Sequence, residues 1–407
     1  MTQDRSGLDA LVDMGRRRGV SRRGFLRGAS LSALALGSPG LLAACGTEAG
    51  KQSAGECVSE DLSSSQKILN FSNWPEYIDI AKKNGKQVIP TLLDFEAETG
   101  IDVTYNIDIN DNAEFFAKVR NQLAACEPIG RDIIVLTDWM AARMVSLGWI
   151  QKLDHDNIPN VDANLVANLK SPDWDPNRDY SVPWQSGFAG LAYNAKYTGE
   201  VRSMEELLTR SDLKGKISLL YEMEDTMGFM LKIVGADPGD FTEDEFGQAL
   251  DQLQEYVDSG QVRRFTGNDY VRDLLAGNIV ACEAWSGDVI AQQFDNPDIK
   301  WVVPEEGLHL FSDTMLVPNK ADHKSNAEKL MNYYYDPMVA ARLAAWVNYI
   351  CPVDGAREAM EKVDASLVDN PLIFPNEEFM ASAFLFMSTD EKTREKFETD
   401  YAQVTGS

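Results

Sequence analysis

Aromatic and acidic side chains recur together at the ends of short apolar runs of this sequence. The pairs are Trp74 and Tyr77 in NFSNWPEYI, Asp138 and Trp139 after DIIVLT, Glu222, Glu224 and Asp225 after KISLLY, Trp285 and Asp288 after IVACEA, Phe311 and Asp313 before TMLVP, and Trp346 and Tyr349 in AAWVNYICPV. Aromatic faces attract ammonium groups, and carboxylates form charge-assisted hydrogen bonds with them. The joint pattern predicts a ring-walled slot that holds a linear polycation.

Each of these residues has a simpler interpretation when it is taken alone. A single Trp at a strand end usually packs in the core, as Trp74 and Tyr77 would if they only filled the first turn. A single acid there usually caps a helix or is solvated, and Asp225 is suitably placed to cap a helix that begins near Thr226. The recurrence of the pairing at several strand ends favours a shared site.

The sequence carries no recognisable catalytic signature. It has no G-x-S-x-G elbow, phosphate-binding loop, H-E-x-x-H motif or dinucleotide fingerprint. The three histidines, His155, His309 and His323, are scattered, and the polar surroundings of His155 and His323 predict surface positions. We therefore expect a binding protein rather than an enzyme, with no cofactor and no metal.

Short β-branched runs alternate with amphipathic helical stretches, which predicts α/β layers around a mainly parallel sheet. One helix is predicted over 112–125, where Phe115, Val119 and Leu123 are four residues apart on one face. Ligands of open α/β sheets bind at the carboxyl ends of the strands, where the aromatic and acidic residues lie. The predicted strands are 68–72, 103–107, 132–136, 190–194, 217–220, 280–285, 301–304 and 314–318.

Composition and charge narrow the class of partner. The chain has 407 residues, 44% of them hydrophobic, which is enough for two domains or one large α/β body. Its formal net charge of -26 argues against nucleic acid as a partner. An acidic surface attracts cations.

The first 45 residues predict an export signal. SRRGFL (21–26) resembles a twin-arginine signal, and LAAC (42–45) resembles a lipobox in which Cys45 takes the lipid. A transmembrane anchor is the alternative, but the apolar stretch is short and broken by Gly37, Pro39 and Gly40. The sequence thus predicts a signal peptide over 1–44 and a flexible Gly/Ser/Glu-rich tether over 45–66. The protein is expected on the outer face of the cytoplasmic membrane, anchored by its lipid.

Four further cysteines permit disulfides outside the cytoplasm. We expect Cys282 to pair with Cys351, because both lie next to the aromatic residues above, and Cys57 to pair with Cys126 and pin the tether. Free buried cysteines are the alternative. No two cysteines lie at the spacing of metal ligands.

These features together resemble the polyamine-binding (spermidine/putrescine) proteins of bacterial ABC importers. The likeness covers about residues 67–387. Its landmarks are LNFSNWPEYI, DIIVLTDWM, GWIQKLD, DYSVPWQSGFAGLAYN, LKGKISLLYEMED, VACEAWSGD, FSDTMLVP and NYICPV.

The resemblance implies a two-lobe periplasmic-binding-protein fold of type II, with crossover strands near Phe188 and Asp313 and a ligand cleft between the lobes. Lobe 1 would comprise 67–187 and 314–357, and lobe 2 would comprise 188–313. The C-terminal helices, 358–407, would pack on lobe 2. A monomer of this kind closes around its ligand and delivers it to a membrane permease.

The resemblance also implies roles for individual residues. Asp225, with Glu222 beside it, would grip one amine and Asp313 another. Thr137 would replace a Ser of the family and Trp139 a Tyr. The walls of the cleft would be Trp74, Tyr77, Trp285, Phe311 and Tyr349.

Three departures from the family pattern leave the choice of ligand open. Phe311 stands where spermidine binders have Trp, Pro75 replaces a polar residue, and the apolar region 383–386 lacks an expected glutamine. Another organic cation, an amino-acid derivative or an oligopeptide remains an alternative ligand. A sensor that takes no part in import is an alternative function.

Overall fold

The computed structural model describes residue 57 and residues 59–293 and 295–406. The predicted signal peptide, Cys45 and most of the predicted tether lie outside these residues. Among the described residues, no helix combines the length and the apolar character that crossing a membrane requires.

The regular elements alternate along the chain much as the sequence predicts. The strands are β1 (Ile68–Asn73), β2 (Ala81–Lys83), β3 (Lys86–Val88), β4 (Asp102–Ile107), β5 (Ile133–Thr137), β6 (Ser181–Asn194), β7 (Ile217–Leu220), β8 (Val262–Thr266), β9 (Ala281–Trp285), β10 (Ile299–Val302), β11 (Leu308–Leu316) and β12 (Ala383–Phe384). The α-helices are α1 (Pro90–Thr99), α2 (Asn112–Ala124), α3 (Asp138–Ser146), α4 (Pro159–Asn164), α5 (Met204–Thr209), α6 (Met223–Ile233), α7 (Glu243–Asp258), α8 (Tyr270–Ala276), α9 (Ser286–Gln293), α10 (Lys324–Tyr334), α11 (Pro337–Val347), α12 (Ala356–Asp364), α13 (Glu377–Met380) and α14 (Glu391–Thr405).

A ten-stranded mixed sheet organises these elements, with the order β4-β1-β5-β11-β6-β9-β7-β8. Two parallel groups, β4-β1-β5 and β9-β7-β8, flank the long strands β11 and β6, which pair antiparallel with each other. β10 adds to β6, and β12 adds to β11. The prediction of a mainly parallel sheet therefore holds within each group and is wrong for the centre.

Burial on both faces explains why the strands can be read from the sequence. Residues 133–136 of β5 are all fully buried, and strands covered on both faces read as continuous apolar runs. The predicted helical face of α2 is also present, since Phe115, Val119 and Leu123 are buried and the Asp111 side chain caps the helix. All eight predicted strands occur; the β2–β3 hairpin, β8 and β12 were missed.

The central pair of strands contains an irregularity that matters for the site. The register between β11 and β6 shifts between Asp313 and Thr314, so that Asp313 faces Gln185 and Thr314 faces Pro183. Pro183 lacks the N–H that a regular ladder requires. A bulge of this kind bends the strand and re-aims side chains, and here it occurs beside Asp313.

The C-terminal helix α14 contacts two separate parts of the body. Phe397 stacks on Phe246 of α7 with ring centroids 3.8 Å apart. On the other side, Arg143 of α3 pairs with Glu391 and Glu398 of α14 at 2.8 and 3.0 Å. The lobe limits at residues 187, 313 and 357 stay predictions.

The cysteines of the described residues form one disulfide and two free thiols. Cys57 and Cys126 form the expected disulfide, with Cα atoms 5.7 Å apart. The predicted pair of Cys282 and Cys351 is wrong: within the described residues both are buried free thiols. Cys282 lies inside β9 between β6 and β7, whereas the Cys351 backbone N–H binds the carbonyl of Ile373. Burial raises the pKa of the Cys351 thiol to about 12, and it raises the pKa of the Cys282 thiol still more.

Candidate functional site

One narrow cavity brings together all ten residues that the sequence analysis assigned to a ligand site. It lies where β1, β5, β7 and β9 end and where β11 crosses them, as expected for the carboxyl ends of parallel strands. Space open to a water-sized sphere amounts to about 40 Å³. The lining residues are Trp74, Pro75, Tyr77, Thr137, Trp139, Glu222, Glu224, Asp225, Asn268, Trp285, Asp288, His309, Phe311, Asp313 and Tyr349.

The turn after β1 presents the first wall of the cavity. Trp74 is fixed at both ends: its backbone N–H donates to the Asn73 side chain, and its ring Nε1 donates to the carbonyl of Val135 at 3.0 Å. Glu76 has a positive φ of 56°, a conformation that turns use to reverse the chain. Tyr77 then packs edge-on against Tyr349, with centroids 4.9 Å apart.

Asp313 is a buried acid on β11 that contacts both the turn after β1 and the end of β5. Tyr77 Oη donates to its Oδ2 at 2.7 Å, and Thr137 Oγ1 donates to its Oδ1 at 2.8 Å. Thr137 reaches it because the two residues are cross-strand partners on β5 and β11. Burial raises the pKa of Asp313 to about 6, which the two hydroxyl donors oppose and the charge of Asp225 assists.

Glu222 is a second buried acid, at the start of the segment after β7. The backbone N–H and the side-chain amide of Asn112 both donate to Glu222 Oε1, at 2.9 and 3.0 Å. The same amide links this acid to Thr137. Burial raises the pKa of Glu222 well above its ordinary value, and the neighbouring Asp111 raises it further. A nearby cation would favour its ionised form.

Asp225 joins two elements of the cavity wall. Its Oδ2 accepts from Trp285 Nε1 at 2.9 Å, and its Oδ1 lies 2.6 Å from His309 Nδ1. Trp285 in turn meets Trp74 and Phe311 edge-on, with centroids 6.2 and 6.5 Å apart. The Trp285 ring is therefore held from three sides.

Asp288 completes the acidic lining on α9. Tyr270 Oη and Asn268 Nδ2 donate to its Oδ2 at 2.9 and 2.8 Å, and Tyr349 Oη donates to its Oδ1 at 3.0 Å. Tyr349 can lie here because Gly287 has no side chain: a Cβ at that position would collide with its ring. The glycine in WSGD is thus a steric requirement of the cavity.

Trp139 and Glu224 border the cavity next to α14. The Arg394 guanidinium lies 4.8 Å from the centroid of a Trp139 ring, a cation–π distance. Arg394 also pairs with Glu224 Oε1, and burial of Glu224 Oε2 leaves that oxygen without a hydrogen-bond partner in the described part of the chain. A protein cation therefore already occupies this edge of the site.

The cavity opens into a wider hollow, the vestibule. The vestibule has about 1260 Å³ open to a water-sized sphere, and it shares Thr137, Trp139, Glu224, His309 and Phe311 with the cavity. Asp138 and Arg178 also line it. Burial raises the pKa of Asp138 to about 7, against the opposing charge of Arg178.

Five lining residues are absent from the set that the sequence predicted: Pro75, Glu224, Asn268, Asp288 and His309. Glu224 and Asp288 were visible as strand-end acids, and Pro75 was visible in the first turn. His309 had a signal too, since it alternates with Phe311 and Asp313 on one face of β11. Asn268, before α8, offered no signal.

The sequence predicted that His155 and His323 lie at the surface, and this prediction is wrong for His323. His155 is partly exposed and contacts Asp162. His323 is only 5% exposed, and its Nδ1 lies 3.1 Å from the buried Asp132, although its sequence neighbour Asp322 is exposed. The described residues contain no group of three or more His, Cys, Asp or Glu side chains that could hold a metal ion.

Comparison with solved structures identifies the fold that carries this cavity. An ABC transporter protein from Listeria monocytogenes has the same fold, with a TM-score of 0.71, 23% identity and coverage of 83% of this chain and 99% of that one. The substrate-binding protein PotD from Streptococcus pneumoniae gives a TM-score of 0.65 at 22% identity, covering 84% and 98%. The expected α/β periplasmic-binding-protein fold of type II is confirmed.

Sequence comparison identifies the family. Residues 92–375 match the family described as bacterial extracellular solute-binding protein. The putrescine-binding periplasmic protein PotF of Escherichia coli is 27% identical over 352 residues, which cover 81% of this chain and 89% of that protein. The chain belongs to the bacterial extracellular solute-binding protein family.

Proposed function

We propose that this protein is the substrate-binding lipoprotein of a bacterial ABC importer, and that it captures a polyamine, putrescine or spermidine, in the narrow cavity. The observation that supports this proposal most strongly is that Asp313 and Asp288 are buried among aromatic rings. Hydroxyl groups donate to Asp313, and hydroxyl and amide groups donate to Asp288. Relatives whose names state putrescine or spermidine binding support this ligand class.

The roles of the lining residues follow from their chemistry. Carboxylates at separated points grip the ammonium ends of the ligand: Asp313, Asp288, Glu222 and Asp225. Aromatic rings form the walls along its methylene chain and face its charges: Trp74, Tyr77, Trp139, Trp285, Phe311 and Tyr349. Thr137 orients Asp313 through its hydroxyl. A narrow cavity suits an unbranched chain better than a ring.

Electrostatics give the binding its driving force. Several buried carboxylates share one cavity, and burial raises the pKa values of Asp313 and Glu222. An ammonium group entering there compensates their charge and replaces the water that they lose. A neutral ligand of the same shape would leave those acids buried without compensation, at a large cost.

Calorimetric titration tests the ligand class. The protein is produced from the full chain so that the disulfide of Cys57 is kept. The panel contains putrescine, spermidine, spermine, arginine and a neutral sugar. We expect one-to-one binding of at least one polyamine with a Kd of micromolar or less and no heat from the sugar. Silence toward all three polyamines in a folded sample would contradict the proposal.

Membrane attachment is a separate part of the proposal. The twin-arginine and LAAC motifs support export, cleavage before Cys45 and lipidation of its thiol. We expect the intact mass to show loss of residues 1–44 and gain of acyl chains. The variant Cys45→Ala should lose the acyl mass and leave the membrane fraction; an unmodified Cys45 in the native host would contradict this part alone.

A further inference from the structure

His309 fixes one of the acids that line the cavity. Its Nδ1 lies 2.6 Å from Asp225 Oδ1, and the other oxygen, Oδ2, accepts from Trp285 Nε1 at 2.9 Å. Because a carboxylate accepts hydrogen bonds, we assign the imidazole the tautomer that donates from Nδ1. Both oxygens of Asp225 are therefore bound by donors that belong to the protein.

The imidazole is built into the fold rather than loosely attached. His309 is 5% exposed and lies on β11, opposite Phe384 of β12 in the parallel pairing. Its ring stacks on the ring of Phe384, with centroids 5.6 Å apart and an interplanar angle of 26°. The Lys232 ammonium lies 5.4 Å from the centroid of the Phe384 ring. Moving His309 away from Asp225 would disturb this stacked arrangement.

The acids of the cavity consequently differ in what holds them. His309 engages Asp225, and Arg394 engages Glu224. Asp313 instead accepts from the neutral hydroxyls of Tyr77 and Thr137. An ammonium group at Asp313 gains a charge-assisted bond beside neutral donors. An ammonium group at Asp225 must share the carboxylate with the imidazole or displace the imidazole from it.

We infer that His309 is a specificity-determining residue, which makes the cavity select a ligand with two ammonium groups over one with three. This inference rests on the proposed function. The imidazole satisfies Asp225 from within the protein, so a third ammonium directed toward Asp225 meets an acid that is already engaged. A diamine needs no such contact.

Titration of putrescine and spermidine into the protein and into His309→Leu tests the inference. We expect the protein to bind putrescine at least about tenfold more tightly than spermidine. In His309→Leu, Asp225 loses its internal donor, and the preference should shift toward spermidine by at least about tenfold. His309→Asn, whose amide can still donate to Asp225, should shift it by less than about threefold, as should His155→Leu on the partly exposed histidine outside the cavity.

The outcomes separate the inference from the proposed function. An unchanged preference in a His309→Leu protein that still binds would overturn the inference alone. A native protein that prefers spermidine would do the same without any variant, even if His309→Leu fails to fold. No binding of either amine by the folded protein would overturn the proposed function, and the inference with it.

Discussion

Replacement of Asp313 by asparagine is expected to weaken polyamine binding about 10- to 150-fold, while the ligand-free protein becomes more stable. The first expectation follows from the charge: hydrogen bonds to charged groups contribute about 1.5–3 kcal/mol, and about 1.4 kcal/mol is tenfold in Kd. Asp313 is the buried acid that Tyr77 and Thr137 hold toward the cavity. Asparagine keeps the shape of the side chain and removes the charge.

The expected gain in stability of ligand-free Asp313→Asn comes from the raised pKa of Asp313, which is about 6 against the ordinary 3.8. An acid whose folded-state pKa is raised opposes folding at every pH above that value, and this cost disappears below the unfolded-state pKa. At neutral pH the cost is on the order of 3 kcal/mol. Asparagine cannot ionise, so thermal unfolding at about pH 7.5 should occur at a higher temperature than in the native protein.

The pH dependence of binding gives a second readout of the same acid. A bound ammonium favours ionised Asp313, so binding below pH 6 must release a proton from it. We expect the affinity to fall about tenfold between about pH 7.5 and about pH 5 in the native protein and much less in Asp313→Asn. Calorimetry in two buffers with different ionisation enthalpies measures the released proton.

A matched control distinguishes a local effect from loss of overall negative charge. Asp251 is an exposed acid on α7 that lines neither the cavity nor the vestibule, and Asp251→Asn removes the same charge outside them. It should change neither affinity nor its pH dependence. If Asp313→Asn binds as tightly as the native protein, or loses stability and affinity together, Asp313 does not grip the ligand.

The position of the cavity was readable from the sequence for a physical reason. Buried strands leave continuous apolar runs, and the residues that follow them in a parallel group meet at one edge of the sheet. Trp74, Thr137, Glu222 and Trp285 each follow such a run, and the structure brings them together. The pattern therefore located the cavity without any knowledge of how the strands are ordered.

Contacts between distant segments could not be read in this way. Arg394 reaches Glu224 across 170 residues, and nothing near either residue indicates the other. Cys282 and Cys351 were paired because both adjoin aromatic residues, yet a disulfide depends on the distance and direction of two Cβ atoms, which neighbouring residue types do not determine. His309 was missed because the predicted strand began at 314, six residues after the observed start of β11 at Leu308; the alternation with Phe311 and Asp313 then went unused.

Trp285→Ala is expected to have the largest effect on binding of any single substitution in the cavity, a loss of about 100-fold or more. The ring would supply a cation–π contact of up to about 2 kcal/mol when desolvated. Its Nε1 also holds Asp225 at 2.9 Å, and a net hydrogen bond contributes about 1 kcal/mol. Both contributions vanish together in alanine, and the contacts to Trp74 and Phe311 open.

Because Trp285 is 7% exposed, its removal also threatens the fold: Trp→Ala in a core costs about 3–5 kcal/mol. Trp285→Phe separates the two roles, since it keeps a ring and loses only the donor to Asp225. We expect it to unfold near the native temperature and to bind spermidine, the ligand whose third ammonium reaches toward Asp225, about 2- to 10-fold more weakly. Fluorescence or calorimetric titration, with thermal unfolding of each variant, measures both quantities.

Trp184 supplies the comparison that decides between a binding residue and a core residue. It is 2% exposed, meets Phe71 and Tyr334 edge-on, and does not line the cavity. Trp184→Phe should therefore lower stability and leave affinity unchanged, the reverse of Trp285→Phe. If the two phenylalanine variants instead behave alike, losing stability and keeping affinity, the Trp285 ring packs the core and the wall that faces the ligand lies elsewhere in the cavity.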